Sequence, residues 1–119
     1  MNKKHIMIDI ETLGIEDNAV ILSVGVVVFN CEGDLDGLYI ELPAQPQMDK
    51  GRTVTASTLK WWMSQDTEMP LKNESDIMSG VHKLHKYFTL AYEQGLPVWA
   101  HGTTFDITKL QSLFKDFGY

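Results

Sequence analysis

Asp9 and Glu11 stand two residues apart in "MIDIETLGIED", residues 7–17. Side chains alternate across a strand, so residues two apart project the same way. Two carboxylates held together at a strand end repel, and one takes up a proton unless positive charge lies between them. A hard divalent cation, Mg²⁺ or Mn²⁺, is the economical partner, because both prefer carboxylate oxygen. A solvated strand end with Glu11 in a loop would also account for the pair taken alone. Asp106 adds a third carboxylate. It follows the apolar segment "PVWAH" and sits in the first turn of a final helix, where the helix dipole favours an ionised acid. As a helix N-terminal residue it needs no further role. However, in open sheets, sites gather where loops leave the strand ends. If the first and last strands are neighbours, Asp9, Glu11 and Asp106 are expected to converge on divalent metal.

The elements that must hold these residues are readable from periodicity. In "HIMIDI", residues 5–10, Ile6, Ile8 and Ile10 share one face of a strand. "AVILSVGVVVF", 19–29, is apolar and β-branched throughout, which predicts a central strand covered on both sides. "NCEGD" turns the chain into "GLYIEL", so 19–42 reads as a hairpin. Residues 43–54, with two prolines, read as a polar loop. "TASTLKWWMSQD", 55–66, has a Thr start signal and strong helix formers. In the next helix Asn73 is the expected cap, with Asp76 three residues on. Ile77, Val81, Leu84, Phe88 and Ala91 then recur at helical spacing until Gly95. In the last helix Ile107, Leu110, Phe114 and Phe117 form a stripe. The order β-β-β-α-α-β-α predicts an α/β fold, a mixed sheet flanked by helices.

The totals bound the function. A chain of 119 residues is one small domain. A net charge of −6 argues against a broad basic face for duplex nucleic acid, but permits an enzyme whose carboxylates are neutralised locally by metal. The single cysteine, Cys31, excludes an internal disulfide and a Cys-rich zinc site. No apolar run approaches the ~18 residues of a membrane helix, and the N-terminus makes a poor signal peptide. A cytoplasmic location is the expectation.

"IDIETLG" resembles the first motif of the DEDD, or DnaQ-like, 3′-to-5′ exonucleases. "WAHGTTFDITKL" resembles their second motif, and "TASTLKWWMSQDTEMP" resembles the Ser/Thr-x-x-Trp-Trp-x-x-Gln segment of one branch. That branch contains phage exodeoxyribonuclease A and mycobacterial-type exoribonucleases. The two motifs occur in order, about 95 residues apart, with the tryptophan segment between them. The resemblance implies a ribonuclease H-like fold and a site of two Mg²⁺ or Mn²⁺ ions. It gives Asp9, Glu11 and Asp106 as three of four metal-binding, catalytic carboxylates. It places Thr12 and Leu13 against the terminal nucleotide and Phe105 beside the second-motif Asp. It sets Trp61, Trp62 and Gln65 along a cleft for a single-stranded RNA or DNA 3′ end. Adjacent helical residues cannot share a face, so one of the two tryptophans is expected in the core and the other toward solvent.

The family also uses a third motif, a general-base His with an Asp about five residues on, and no such pair follows residue 106. His82, His85, His101 and His5 are poor substitutes. By this comparison residues 1–119 form a single exonuclease-like domain without the last part of the family fold. A missing base lowers the rate by something like 10²–10⁴, and partial or lost activity is expected for the chain alone. The missing part would leave apolar strand surface for a second copy or a partner chain to cover. Two readings follow: a metal-dependent 3′-to-5′ exonuclease, or its N-terminal part, and an inactive exonuclease-fold module that binds nucleic acid or a protein. A phosphatase of the haloacid dehalogenase type fits less well, since it wants Asp-x-Asp and a later Lys.

Overall fold

The alternating isoleucines form strand β1 (His5–Thr12), with Ile6, Ile8 and Ile10 buried and Asp9 exposed on the opposite face. The computed structural model describes residues 3–72, 76–101 and 103–119. β1 pairs antiparallel with β2 (Ile21–Asn30), which pairs antiparallel with β3 (Gly33–Glu41). On its other side β1 pairs parallel with the short β4 (Val98–Ala100), giving the sheet order β3-β2-β1-β4. The result is the mixed α/β sheet expected from the sequence. Ile6, Ile8, Ile10, Val24, Val26 and Val28 pack against two helices, α3 (Met78–Gln94) and α4 (Thr103–Asp116).

The two-sided coverage expected for residues 19–29 holds only at the start of β2. Ile21–Val24 are buried, whereas Gly25 and Val27 are half-buried. The helices of the main core lie on the even-numbered face of β1, and the face of Asp9 is the more open one. A bulge between Glu11 and Thr12 shifts the register at the end of β1. Bulges re-aim side chains at sheet margins. Here Ile21 joins the main core, while Leu22 joins a smaller cluster with Leu13, Val20, Ala44 and Trp62.

The loop expected over residues 43–54 contains a short helix, α1 (Ala44–Asp49). Pro46 is tolerated in its first turn, where a backbone N–H would have no intrahelical partner. Gln47 drives the burial of this polar segment. Its amide group donates to the Ile21 and Pro43 carbonyls and its oxygen accepts from the Ile21 N–H. The tryptophan helix is shorter than 55–66: α2 runs Ala56–Met63. α3 begins at Met78, with the Asp76 carboxylate accepting from the Met78 N–H at 3.1 Å. The expected cap, Asn73, lies outside the described residues. Gly95 ends α3 in the left-handed conformation at φ 62°.

Gly80 sets how closely α3 approaches the sheet. A Cβ there would meet Leu42 Cδ2 at 2.7 Å and Ile40 Cγ2 at 3.2 Å. Alanine favours a helix over glycine by about 1 kcal/mol, but overpacking costs about 1–3 kcal/mol. Leu42 is fully buried, so its side chain has to repack before the added methyl fits. Gly80→Ala is therefore expected to lower stability, read as a reduced urea midpoint with unchanged slope.

Candidate active site

Because β1 and β4 run parallel, their C-terminal ends lie at the same margin of the sheet. β4 pairs with β1 only as far as Ile8 opposite Ala100. Beyond that point the β1 edge has no strand partner, and the Ile10 backbone N–H acts on the Asp106 carboxylate, favouring its charged form. Asp106, in the first turn of α4, is buried. Burial is the main cause that pushes its pKa above the usual carboxylate range, and the negative charge of Asp9 pushes it further. Lys109, the Ile10 bond and His101 act in the opposite direction without cancelling the shift. A carboxylate pair in this state is relieved by a cation placed between its members.

Glu11 is engaged elsewhere. Its Oε1 accepts the Ser23 hydroxyl at 2.7 Å across the β1–β2 pair. Among the described residues, no three His, Cys, Asp or Glu side chains gather as a metal-binding group. Asp9 and Asp106 are thus electrostatic neighbours, with Glu11 one strand position further on and turned to Ser23. Beside Glu11 a cleft of about 540 Å³ opens between Tyr39 and Glu41 of β3 and the segment from Trp62 to Leu71. That volume is in the ordinary range for small-ligand clefts.

Two cations tie the surrounding loop to α4. Lys109 is only 1% exposed; its Nζ donates to the Ile15 carbonyl at 3.1 Å and lies 3.7 Å from the Phe105 ring centroid. Arg52 donates to the Ala19 carbonyl through Nε and Nη2 at 3.2 and 2.9 Å, and to the Lys109 carbonyl at 3.3 Å. It also reaches Ser112 Oγ and the Asp116 carboxylate. Neither residue was marked by the sequence reading. Lys109 lies off the Ile107, Leu110, Phe114 and Phe117 stripe, so helical spacing gave no signal for its burial.

Residues 4–119 match the family described as the 3′-5′ exoribonuclease Rv2179c-like domain. The chain belongs to this family. It is also 26% identical to the exodeoxyribonuclease of Enterobacteria phage T4, over 92% of this chain and 55% of that protein. The chain thus spans about half the length of the curated relative it matches. The recognition as a DnaQ-like exonuclease relative and the mixed-sheet fold both stand.

The positions that the family resemblance singled out are distributed unevenly. Trp62 is buried and donates its indole N–H to the Thr12 carbonyl at 2.9 Å, whereas Trp61 is 55% exposed and packs edge-on against it. Thr12 and Leu13 are both buried, the Thr12 hydroxyl bonding the Gly14 carbonyl. Gln65 is exposed and donates to the Trp61 carbonyl. Phe105 is partly exposed beside Asp106. The charge of His101 acts on Asp106. His82 bonds the Tyr119 hydroxyl and His5 accepts the Trp99 indole N–H. No helix among the described residues is long and apolar enough to cross a membrane.

Proposed function

We propose that this chain carries the metal-binding half of a 3′-to-5′ exonuclease site that acts on single-stranded nucleic acid ends. The observation that supports the reading is that α4 starts at the margin where the parallel β1 and β4 end, and that the charge of Asp9 bears on the buried Asp106, whose pKa burial raises. Two acids in that condition fit a hard divalent cation, Mg²⁺ or Mn²⁺. Asp9 and Asp106 would hold it, and Glu11 would join them by exchanging its Ser23 bond. Bound there, divalent metal supplies a nucleophile at neutral pH and charge stabilisation at the phosphodiester. The protein's own part is to keep the three carboxylates at one sheet margin and to wall the cleft beside them. Thr12 and Leu13 shape the turn at the strand end through their burial. Trp61, Phe105 and Gln65 present the groups that a strand terminus would touch.

The test is a 3′-labelled single-stranded oligonucleotide, as RNA and as DNA, incubated with Mn²⁺ or Mg²⁺. Slow stepwise trimming from the 3′ end is expected, since no third-motif base is available to speed it. Binding without cleavage would favour the second reading, an inactive module, for which the Glu11–Ser23 bond is the supporting observation. No interaction with either nucleic acid, with or without metal, rejects both. The substrate arms matter because the family is described by ribonuclease activity while the phage relative is named a deoxyribonuclease.

Trp61 offers a separable check. An exposed ring can stack on a base for ~1–3 kcal/mol whatever the sequence. Trp61→Ala is therefore expected to weaken oligonucleotide binding about tenfold in a fluorescence-anisotropy titration, while surface substitutions typically change stability by about 0.5 kcal/mol or less. An unchanged affinity would show that Trp61 does not touch the strand.

A further inference from the structure

Lysine is among the residues least often fully buried, because its ammonium loses hydration there. Lys109 is nevertheless 1% exposed, three residues after Asp106 on α4. Its ammonium is held by the Ile15 carbonyl at 3.1 Å and the Phe105 ring at 3.7 Å. The carboxylates of Asp17, Asp106 and Glu16 all act on it. Ile15 belongs to the segment that leaves β1 directly after the Asp9–Glu11 pair, 94 residues away in the chain from Lys109.

We infer that Lys109 is a positioning residue, which fastens the segment after β1 to the first turns of α4 and so fixes Phe105 and Asp106 relative to Asp9. This rests on the proposed nuclease site for its functional meaning, but not for the fastening itself. The ammonium is too buried to touch a substrate, so it acts only through its neighbours. An apolar side chain of equal length would fill the space and leave the Ile15 carbonyl without its donor. Arg52 fastens the same loop further along, at Ala19, through a separate set of bonds.

Lys109→Met keeps the length and removes the ammonium, and Lys109→Arg keeps a cation that can both donate and lie on a ring. Circular dichroism verifies that each variant is folded. Amide exchange is followed at Leu13, Ile15 and Ala19, whose N–H groups bond Val20, Thr55 and Glu16. Exchange at Leu13 and Ile15 is expected to accelerate at least tenfold in Lys109→Met, with Ala19 less affected and Lys109→Arg near wild type. In parallel, the Mn²⁺ concentration for half-maximal trimming is expected to rise at least fivefold in Lys109→Met and to recover in Lys109→Arg. Unchanged exchange in Lys109→Met would overturn the inference. So would acceleration spread evenly over the sheet with an unchanged Mn²⁺ midpoint, which marks a residue of general packing. If the wild type neither binds Mn²⁺ nor trims, the nuclease reading falls, and the exchange measurement still decides the fastening.

Discussion

Asp106→Asn is expected to abolish trimming and, in metal-free buffer, to raise the melting temperature. Burial and the charge of Asp9 hold the Asp106 carboxyl above its ordinary value of 3.8. The folded chain therefore keeps that proton to higher pH than the unfolded chain. Stability falls as pH rises from the unfolded value through the raised folded one, and the full cost of ionisation is present above the folded value. Asparagine removes the charge while keeping the shape of the side chain. The pH-dependent loss should disappear with it. Mn²⁺ reverses the ranking. A ligand at 100 times its dissociation constant stabilises by ~2.7 kcal/mol, so wild-type melting should rise steeply with Mn²⁺ and Asp106→Asn should stay flat. Loss of an outer partner of a metal ligand costs ~10–100-fold in affinity or activity, and loss of a ligand itself should cost no less. Calorimetric melts with and without Mn²⁺, beside initial trimming rates, check both halves. A variant that melts lower than wild type in chelator, or that responds equally to Mn²⁺, would contradict this account of the site.

Arg52→Met is expected to give the largest loss of stability, about 3 kcal/mol or more. Arg52 is buried, with its charge matched by Asp116 at 2.9 Å and its remaining N–H groups spent on the Ala19 and Lys109 carbonyls and Ser112. Abandoned buried acceptors cost ~1–3 kcal/mol each, and this variant abandons both the Ala19 and the Lys109 carbonyls. Small domains are stable by only about 5–15 kcal/mol in total. Asp116→Asn should cost less, because Asp116 is about a third exposed and the asparagine oxygen can still accept from Arg52. Urea denaturation of the two variants reads the difference directly. Equal losses, or an Arg52→Met midpoint near wild type, would show that the bonds to Ala19 and Lys109 contribute little.

Local patterns carried much of the fold. The isoleucine alternation of β1, the stripe of α3 and the left-handed Gly95 stop are properties of neighbours in the chain, and each formed where its spacing indicated. The helix of residues 44–49 was not legible, because it is held by a polar residue, Gln47, whose partners at Ile21 lie 26 residues away. The same division runs through the candidate site. That Asp9 and Glu11 share a face of a strand follows from the two-residue repeat alone. That Trp61 and Trp62 must part follows from the helical repeat, but which one turns inward was decided by the Thr12 carbonyl waiting for an indole N–H. That the charge of Asp9 bears on Asp106 required strand order, since β4 lying parallel beside β1 brings the start of α4 to the margin where β1 ends. The fastening roles of Lys109 and Arg52 depended on tertiary structure in the same way. Periodicity records which way a side chain points from its own element; a buried charge or amide is set by groups that the chain supplies from far away, and those meet only when the sheet closes.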